Sequence, residues 1–218
     1  MAVAFFDMDG TLIDGDTNDL SLKYMIDKGL AAEDRYLKLC HYGDLFFQGV
    51  LDINQFIRFA VEPLIGIDKD KLQLLLEDCV NSRILPHVKP GAKKAIEFHK
   101  NRGDCTVIVT STMDYLVEHV AKGLGIDNII AAPMERINGV LTGRQSGSVP
   151  YQKGKVLRIK EFVKAHNIDM SESFAYGDTV NDLPMLLLCK HRYAIDPNEK
   201  LISHPDFNKL IVESWKQA

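Results

Sequence analysis

Apolar residues recur along this chain in two rhythms. Short apolar runs, the pattern of strands buried on both faces, predict strands at 2–7, 105–109, 128–131, 173–176 and 192–195. Longer stretches with helical spacing lie between them, so the alternation predicts an α/β protein with a parallel sheet. Residues 16–85 break the alternation. They carry helical patterns around 17–29, 33–48, 52–64 and 68–83, punctuated by Gly29, Gly49, Pro63 and Gly66. Pro90-Gly91 opens a helix to about 102, and Asn138-Gly139 sits centrally in a hairpin pattern over 134–143. The tail, with Pro197, Pro205 and Trp215, is expected to close the edge of the sheet.

Composition narrows the class without naming a chemistry. The chain has 218 residues, 46% hydrophobic and 26% charged, which suits one core domain with an insertion. No apolar run approaches the roughly 20 residues of a membrane span, and Asp7 and Asp9 interrupt the first apolar stretch before a signal peptide could form. A net charge of −4 supplies no electrostatic reason to expect nucleic acid or an anionic membrane as partner. Cys40, Cys79, Cys105 and Cys189 form no CxxC pair, and Cys105 and Cys189 read as small buried apolar residues. This favours a reducing cytoplasm. His87, His99 and His119 have no metal-ligand spacing and read as packing or surface residues. A monomer or homodimer is expected.

Chemistry concentrates where strands end. Asp7-Met8-Asp9-Gly10-Thr11 follows the first strand, which puts two carboxylates at the end of the sheet where α/β proteins bind ligands. Crowded acids of this kind need a metal or a shared proton. Thr110-Ser111-Thr112 follows the second strand and precedes an amphipathic helix (Leu116, Val117, Val120, Leu124). It reads either as an anion site at a helix N-terminus or as a plain hydroxyl cap. Lys153 and Lys155 open a helix running to about 166, where they oppose the helix dipole and so do not serve helix stability. Gly177-Asp178-Thr179-Val180-Asn181-Asp182 follows a further strand and gathers two acids and an amide within five residues.

Taken together, these four segments resemble the motifs of the haloacid dehalogenase-like hydrolases, in order and over nearly the whole chain. The helical segment after the first motif is similar to the phosphoserine phosphatase-like subfamily. The resemblance implies a Rossmann-like, three-layer parallel-sheet core (1–15 and 86–218) with a helical cap (16–85) inserted after the first strand. It implies Asp7 as nucleophile, Asp9 as general acid/base, Thr110 as a phosphoryl ligand and one lysine to neutralise charge. The interval 178 − 155 = 23 favours Lys155, with Lys153 as the alternative. It further implies Mg²⁺ held by Asp7, the Asp9 carbonyl and Asp178, with Asn181 and Asp182 ordering the loop behind them.

The function so implied is hydrolysis of a small phosphorylated metabolite, phosphoserine-like or histidinol phosphate-like, through an aspartyl-phosphate. Asp9 should then have a raised pKa. A segment at Leu51–Arg58 resembles the one that holds the substrate carboxylate in phosphoserine phosphatases, which nominates Arg58. Asp16 stands where those enzymes carry a Glu that meets the substrate amine, and Ser111 and Thr112 replace a glycine pair, which puts both among the expected substrate contacts. A phosphotransferase or mutase using the same aspartyl-phosphate is the alternative. A non-catalytic binding module is disfavoured, since it would need none of these positions together.

Overall fold

The structure, a computed structural model, describes residues 2–216. Its core is a six-stranded, all-parallel sheet. The strands are β1 (Val3–Phe6), β2 (Cys105–Met113), β3 (Asn128–Ala132), β6 (Ser173–Gly177), β7 (His191–Ile195) and β8 (Ile211–Glu213). A separate antiparallel hairpin comprises β4 (Met134–Ile137) and β5 (Val140–Gln145). Strand order in the large sheet is β3-β2-β1-β6-β7-β8. The chain therefore winds outward from β1 in one direction and returns to β1's other side with β6. This reversal leaves a crevice at the C-terminal ends of β1 and β6, the position where doubly wound sheets bind ligands.

Burial explains the central strand. Val3 and Phe5 face one apolar core while Ala2, Ala4 and Phe6 face the other. Phe5 and Phe6 are both fully buried, each contributing about 1.5–3 kcal/mol relative to exposure. A ladder of stacked rings crosses the sheet beside the crevice: Phe6 on Tyr176 at 4.8 Å, and Tyr176 on Tyr193 at 4.9 Å. Beneath it His99, wholly buried, bridges the Asp104 carboxylate (2.8 Å) and the Tyr176 hydroxyl (2.9 Å). Of the other histidines considered for metal binding, His119 is buried and His87 exposed.

The insertion is helical: α1 (Thr17–Asp27), α2 (Arg35–Gln48), α3 (Ile53–Val61) and α4 (Lys69–Cys79), continued by a π turn at Val80–Ile84. Asp16, Asp52 and Asp68 cap α1, α3 and α4 by accepting from main-chain N–H groups. Among the described residues no extended strand lies between β1 and β2. Core helices follow: α5 (Pro90–Asn101), α6 (Asp114–Leu124), α7 (Lys153–Ala165), α8 (Leu183–Leu188) and α9 (Glu199–Ile202). The expected hairpin forms and leans on the insertion, with Gly66 N–H donating to the Leu141 carbonyl (3.2 Å) and the Gln145 amide to Asn54 (3.1 Å). The tail closes the sheet as expected: β8 is the edge strand, and Trp215 is buried against Tyr176.

One element departs from expectation. The second strand does not end at Val109 but runs to Met113, with a register shift against β3 between Val109 and Met113. Thr110, Ser111 and Thr112 therefore lie on an irregular strand end, and none of them caps α6, whose N-terminal residue Met113 has no capping side chain. The helix-terminus reading of this triplet is corrected accordingly. No helix is long and apolar enough to cross a membrane among the described residues. All four cysteines are free thiols; Cys189 is buried, Cys105 only partly so.

Candidate active site

Asp7 is the first residue past β1 and Asp178 the first past β6, so the two strands deliver their carboxylates to either side of the crevice. Asp7 N–H donates to the Tyr176 carbonyl (2.9 Å), which continues the ladder to the point of the turn. Gly10 must be glycine: its φ is +80°, and a Cβ there would collide with the Asp178 carboxylate. Gly177 is equally constrained, because a Cβ would meet that of Asp182 at 2.5 Å.

Lys155, on the first turn of α7 and 3% exposed, reaches the floor of the crevice. Its Nζ lies 2.5 Å from Asp7 Oδ1 and 2.5 Å from Asp182 Oδ1. Burial alone would lower its pKa; Asp182 and Asp7 outweigh burial and raise it, so it stays an ammonium. Lys153 is exposed at the helix start, and the cation on Asp7 is Lys155. Asp182 is fully engaged, its other oxygen accepting from Thr179 N–H (3.0 Å) and Thr179 Oγ1 (2.8 Å).

Carboxylate crowding sets the electrostatics. Asp7 is pushed up to about 8, first by burial and then by repulsion from Asp182, against the pull of Lys155. Asp178 is also raised, by burial, Asp182 and Asp7, while Thr11 Oγ1 donates to its Oδ1 at 3.2 Å. Oxygens of Asp7, Asp178 and Asp182 lie within 4.8 Å of one another. A cluster of hard oxygen donors sharing one ammonium is undercharged on the positive side and fits a divalent cation such as Mg²⁺.

Asp9 is held differently. Its Oδ1 accepts from Thr17 N–H (2.6 Å) and its Oδ2 from Thr112 Oγ1 (2.9 Å). Burial and the nearby Asp16 carboxylate push it up to about 6, against those two hydrogen bonds. This is the expected upward shift, and it suits a group that must give and take a proton near neutrality.

These residues floor a cavity of about 380 Å³. Thr110, Ser111, Asn181 and Asp16 also line it. Thr112, expected among the substrate contacts, does not; its hydroxyl donates to Asp9 Oδ2 and so holds that carboxylate from outside the cavity. Thr110 Oγ1 accepts from Thr112 N–H (3.1 Å). Asp16 caps α1 through Oδ1 and is open to the water of the cavity, yet protein surrounds it, and that enclosure raises its pKa. Arg58 is not brought to the site. It is exposed on α3, whose buried face is Phe56, Ile57 and Val61, and it does not line the cavity.

Several residues here were not legible as site residues. Leu39, Tyr42 and Phe46 of α2, with Leu51, Ile53, Phe56 and Tyr151, form an apolar upper wall; the i, i+3, i+7 spacing of the first three was a usable signal. Lys89, 2% exposed, donates to the Gly10 carbonyl and to Asp196 Oδ2 (2.8 Å). Asp196 also accepts from Ser214 Oγ and Trp215 N–H, and Asn198 N–H donates to the Asp178 carbonyl (3.0 Å). The tail thus grips both acidic loops, which nothing in its sequence signalled.

Comparison with known proteins agrees with this geometry. The family model described as haloacid dehalogenase-like hydrolase matches residues 4–187. A histidinol-phosphatase of Neisseria meningitidis is 31% identical over 205 residues, covering 91% of this chain and 92% of that one. A phosphoserine phosphatase of Mycobacterium tuberculosis is 26% identical over 211 residues, covering 93% of this chain and 67% of its own. Among solved structures, a Bordetella pertussis protein of unknown function superimposes with a TM-score of 0.87 at 24% identity, covering 97% of both chains. A substrate-bound phosphoserine phosphatase gives 0.68 at 21% identity, covering 99% of this chain and 92% of the other; at that identity the likeness is one of fold. The chain belongs to the haloacid dehalogenase-like hydrolases, in their phosphoserine phosphatase-like branch, and is an enzyme of that family.

Proposed function

We propose that this enzyme is a divalent-metal-dependent phosphomonoesterase for small amino-alcohol phosphates, acting through a phosphorylated Asp7. The observation that carries the reading is the Lys155 ammonium wedged between Asp7 and Asp182 at the floor of an enclosed cavity. That placement keeps Asp7 partly neutralised and ready to meet a phosphoryl dianion. The names of the relatives, histidinol-phosphatase and phosphoserine phosphatase, support the substrate class.

A carboxylate oxygen of Asp7 attacks phosphorus, and the ester oxygen leaves with the proton of Asp9. Asp9, now ionised, takes a proton from the water that attacks the acyl phosphate; inorganic phosphate departs and both carboxyl groups return to their starting states. Lys155 and the Thr110 hydroxyl offset charge on the phosphoryl oxygens in both steps. Asp7, Asp178 and the Asp9 carbonyl would hold Mg²⁺, since Asp182 is already bound by Lys155 and Thr179. When bound, the cation supplies further charge neutralisation at phosphorus. Residues 16–85 act as the lid that excludes bulk water from a core made of 1–15 and 86–218. The four free thiols support a reducing compartment.

The test is phosphate release, with and without Mg²⁺, across amino-alcohol phosphates, sugar phosphates and nucleotides. Turnover of an amino-alcohol phosphate, reduced at least about 10³-fold by Asp7→Asn, is expected. Turnover that survives Asp7→Asn would remove the reading.

A further inference from the structure

The two ends of the cavity differ in charge. Its floor carries Lys155 among four carboxylates, those of Asp7, Asp9, Asp178 and Asp182; its upper part carries one charged group, Asp16. Lys155 is the one cation lining the cavity among the described residues, and it is buried against Asp7 and Asp182, where the phosphoryl group must sit. The two arginines nearest in sequence to the upper wall are otherwise placed. Arg58 points away on the exposed face of α3. Arg35 is committed elsewhere: Nη1 pairs with Glu62 (2.8 Å), Nη2 donates to the Phe59 carbonyl, and its guanidinium stacks on the Phe59 ring (4.4 Å).

The remaining upper surface is largely apolar and aromatic. Tyr42 meets Phe56 edge-on at 5.6 Å, and Phe46 lies 6.0 Å from Tyr151. Aromatic faces of this kind attract cations and planar rings. Asp16 uses Oδ1 for its helix cap, which leaves its second oxygen to receive a donor. A substrate carboxylate would find only neutral donors such as the Ser111 and Tyr151 hydroxyls and no cation beyond Lys155 among the described residues, and would be repelled by Asp16; a substrate amine would find a carboxylate and ring faces.

We propose, resting on the phosphomonoesterase reading above, that the cavity selects phosphate esters that carry an amine and a planar apolar group but no carboxylate, with Asp16 receiving the amine and the Tyr42, Phe46, Phe56 and Tyr151 wall packing the ring. Selection against the carboxylate is the part that divides the two substrate types named by the relatives.

A matched series of esters tests it: ethyl phosphate, O-phosphoethanolamine, O-phospho-L-serine and L-histidinol phosphate, compared by kcat/KM with Mg²⁺ present. Wild type is expected to prefer phosphoethanolamine over ethyl phosphate, and over phosphoserine by at least about tenfold, with histidinol phosphate above all three. In Asp16→Asn, where Asn preserves the cap, the ratio of phosphoethanolamine to ethyl phosphate is expected to fall about tenfold, chiefly through KM. The wild-type ranking needs no variant and stands if Asp16→Asn fails to fold. Phosphoserine equal to or above phosphoethanolamine would overturn the proposal; its loss in Arg35→Met would identify Arg35 as the carboxylate's partner. An unchanged ratio in Asp16→Asn would overturn the role of Asp16. Silence on all four esters, or turnover that survives Asp7→Asn, would instead sink the phosphomonoesterase reading and this proposal with it, an outcome distinct from a reversed ranking.

Discussion

Lys155 holds two like charges together. Without it, Asp7 and Asp182 face each other across the cavity floor with no compensating ammonium. Lys155→Met is therefore expected to lose at least about 10²–10³ in kcat and, in metal-free buffer, about 3 kcal/mol of stability by urea unfolding. The Lys89–Asp196 pair makes a different prediction. Burial would raise the Asp196 pKa, but the Lys89 ammonium and the hydrogen bonds from Ser214 and Trp215 hold it below its ordinary value. A depressed carboxyl pKa stabilises the fold above the unfolded value of roughly 3.9, and the contribution disappears as pH falls through the folded value. Asp196→Asn, which tolerates the φ of +44° at this position, should cost about 3 kcal/mol at pH 7. That difference from wild type should shrink toward zero below about pH 4, as read from urea midpoints. Sequence reasoning reached Lys155 through its spacing to Asp178. It missed Lys89, because a lysine ahead of a helix-opening proline is ordinary until its ammonium is seen on the Gly10 carbonyl.

Elements were legible where one physical pattern dominated. The apolar run of β1 admits only a strand buried on both faces, and the helical spacing across 16–85 admits no strand. Two local features were harder to read. Thr110-Ser111-Thr112 suits both a helix cap and a β-bulged strand end, since Ser and Thr hydroxyls favour the first and the β-branched threonines the second. Only the register against β3 decides. On α3, Ile53, Phe56, Ile57 and Val61 already mark an apolar face that excludes Arg58, so the resemblance pointed one way and the periodicity another. The extended end of β2 has a use. It carries Thr112 Oγ1 to Asp9, which a helix beginning at residue 110 would turn elsewhere. Thr112→Val keeps shape and removes the hydroxyl. It is expected to lower kcat about tenfold with little change in KM, because Asp9 loses its orientation while the cavity wall is untouched.

At the scale of the molecule, strand order does most of the positioning. The reversal at β1 sets Asp7 and Asp178 side by side although 171 residues (178 − 7) separate them in sequence. Their repulsion is a cost borne by the whole fold, so relieving it should be visible globally. Mg²⁺ is expected to raise Tm in a concentration-dependent way, following RT ln(1 + [L]/Kd). Asp178→Asn should itself raise the metal-free Tm and abolish the Mg²⁺ response, as followed by calorimetry. EDTA should reverse the wild-type shift.

The Lys89 ammonium that joins the Gly10 carbonyl to Asp196 also fixes an order of events. Asp196 lies 186 residues (196 − 10) after Gly10, so Asp196, Ser214 and Trp215 are made long after the loop they anchor. The nascent chain can build β1, the helical insertion and β2 early, yet the loop that carries Asp7 stays unanchored until the segment around Asp196 has been made and has folded back. An ordered Asp7 loop is thus withheld from any copy whose distal segment has not yet folded onto Lys89.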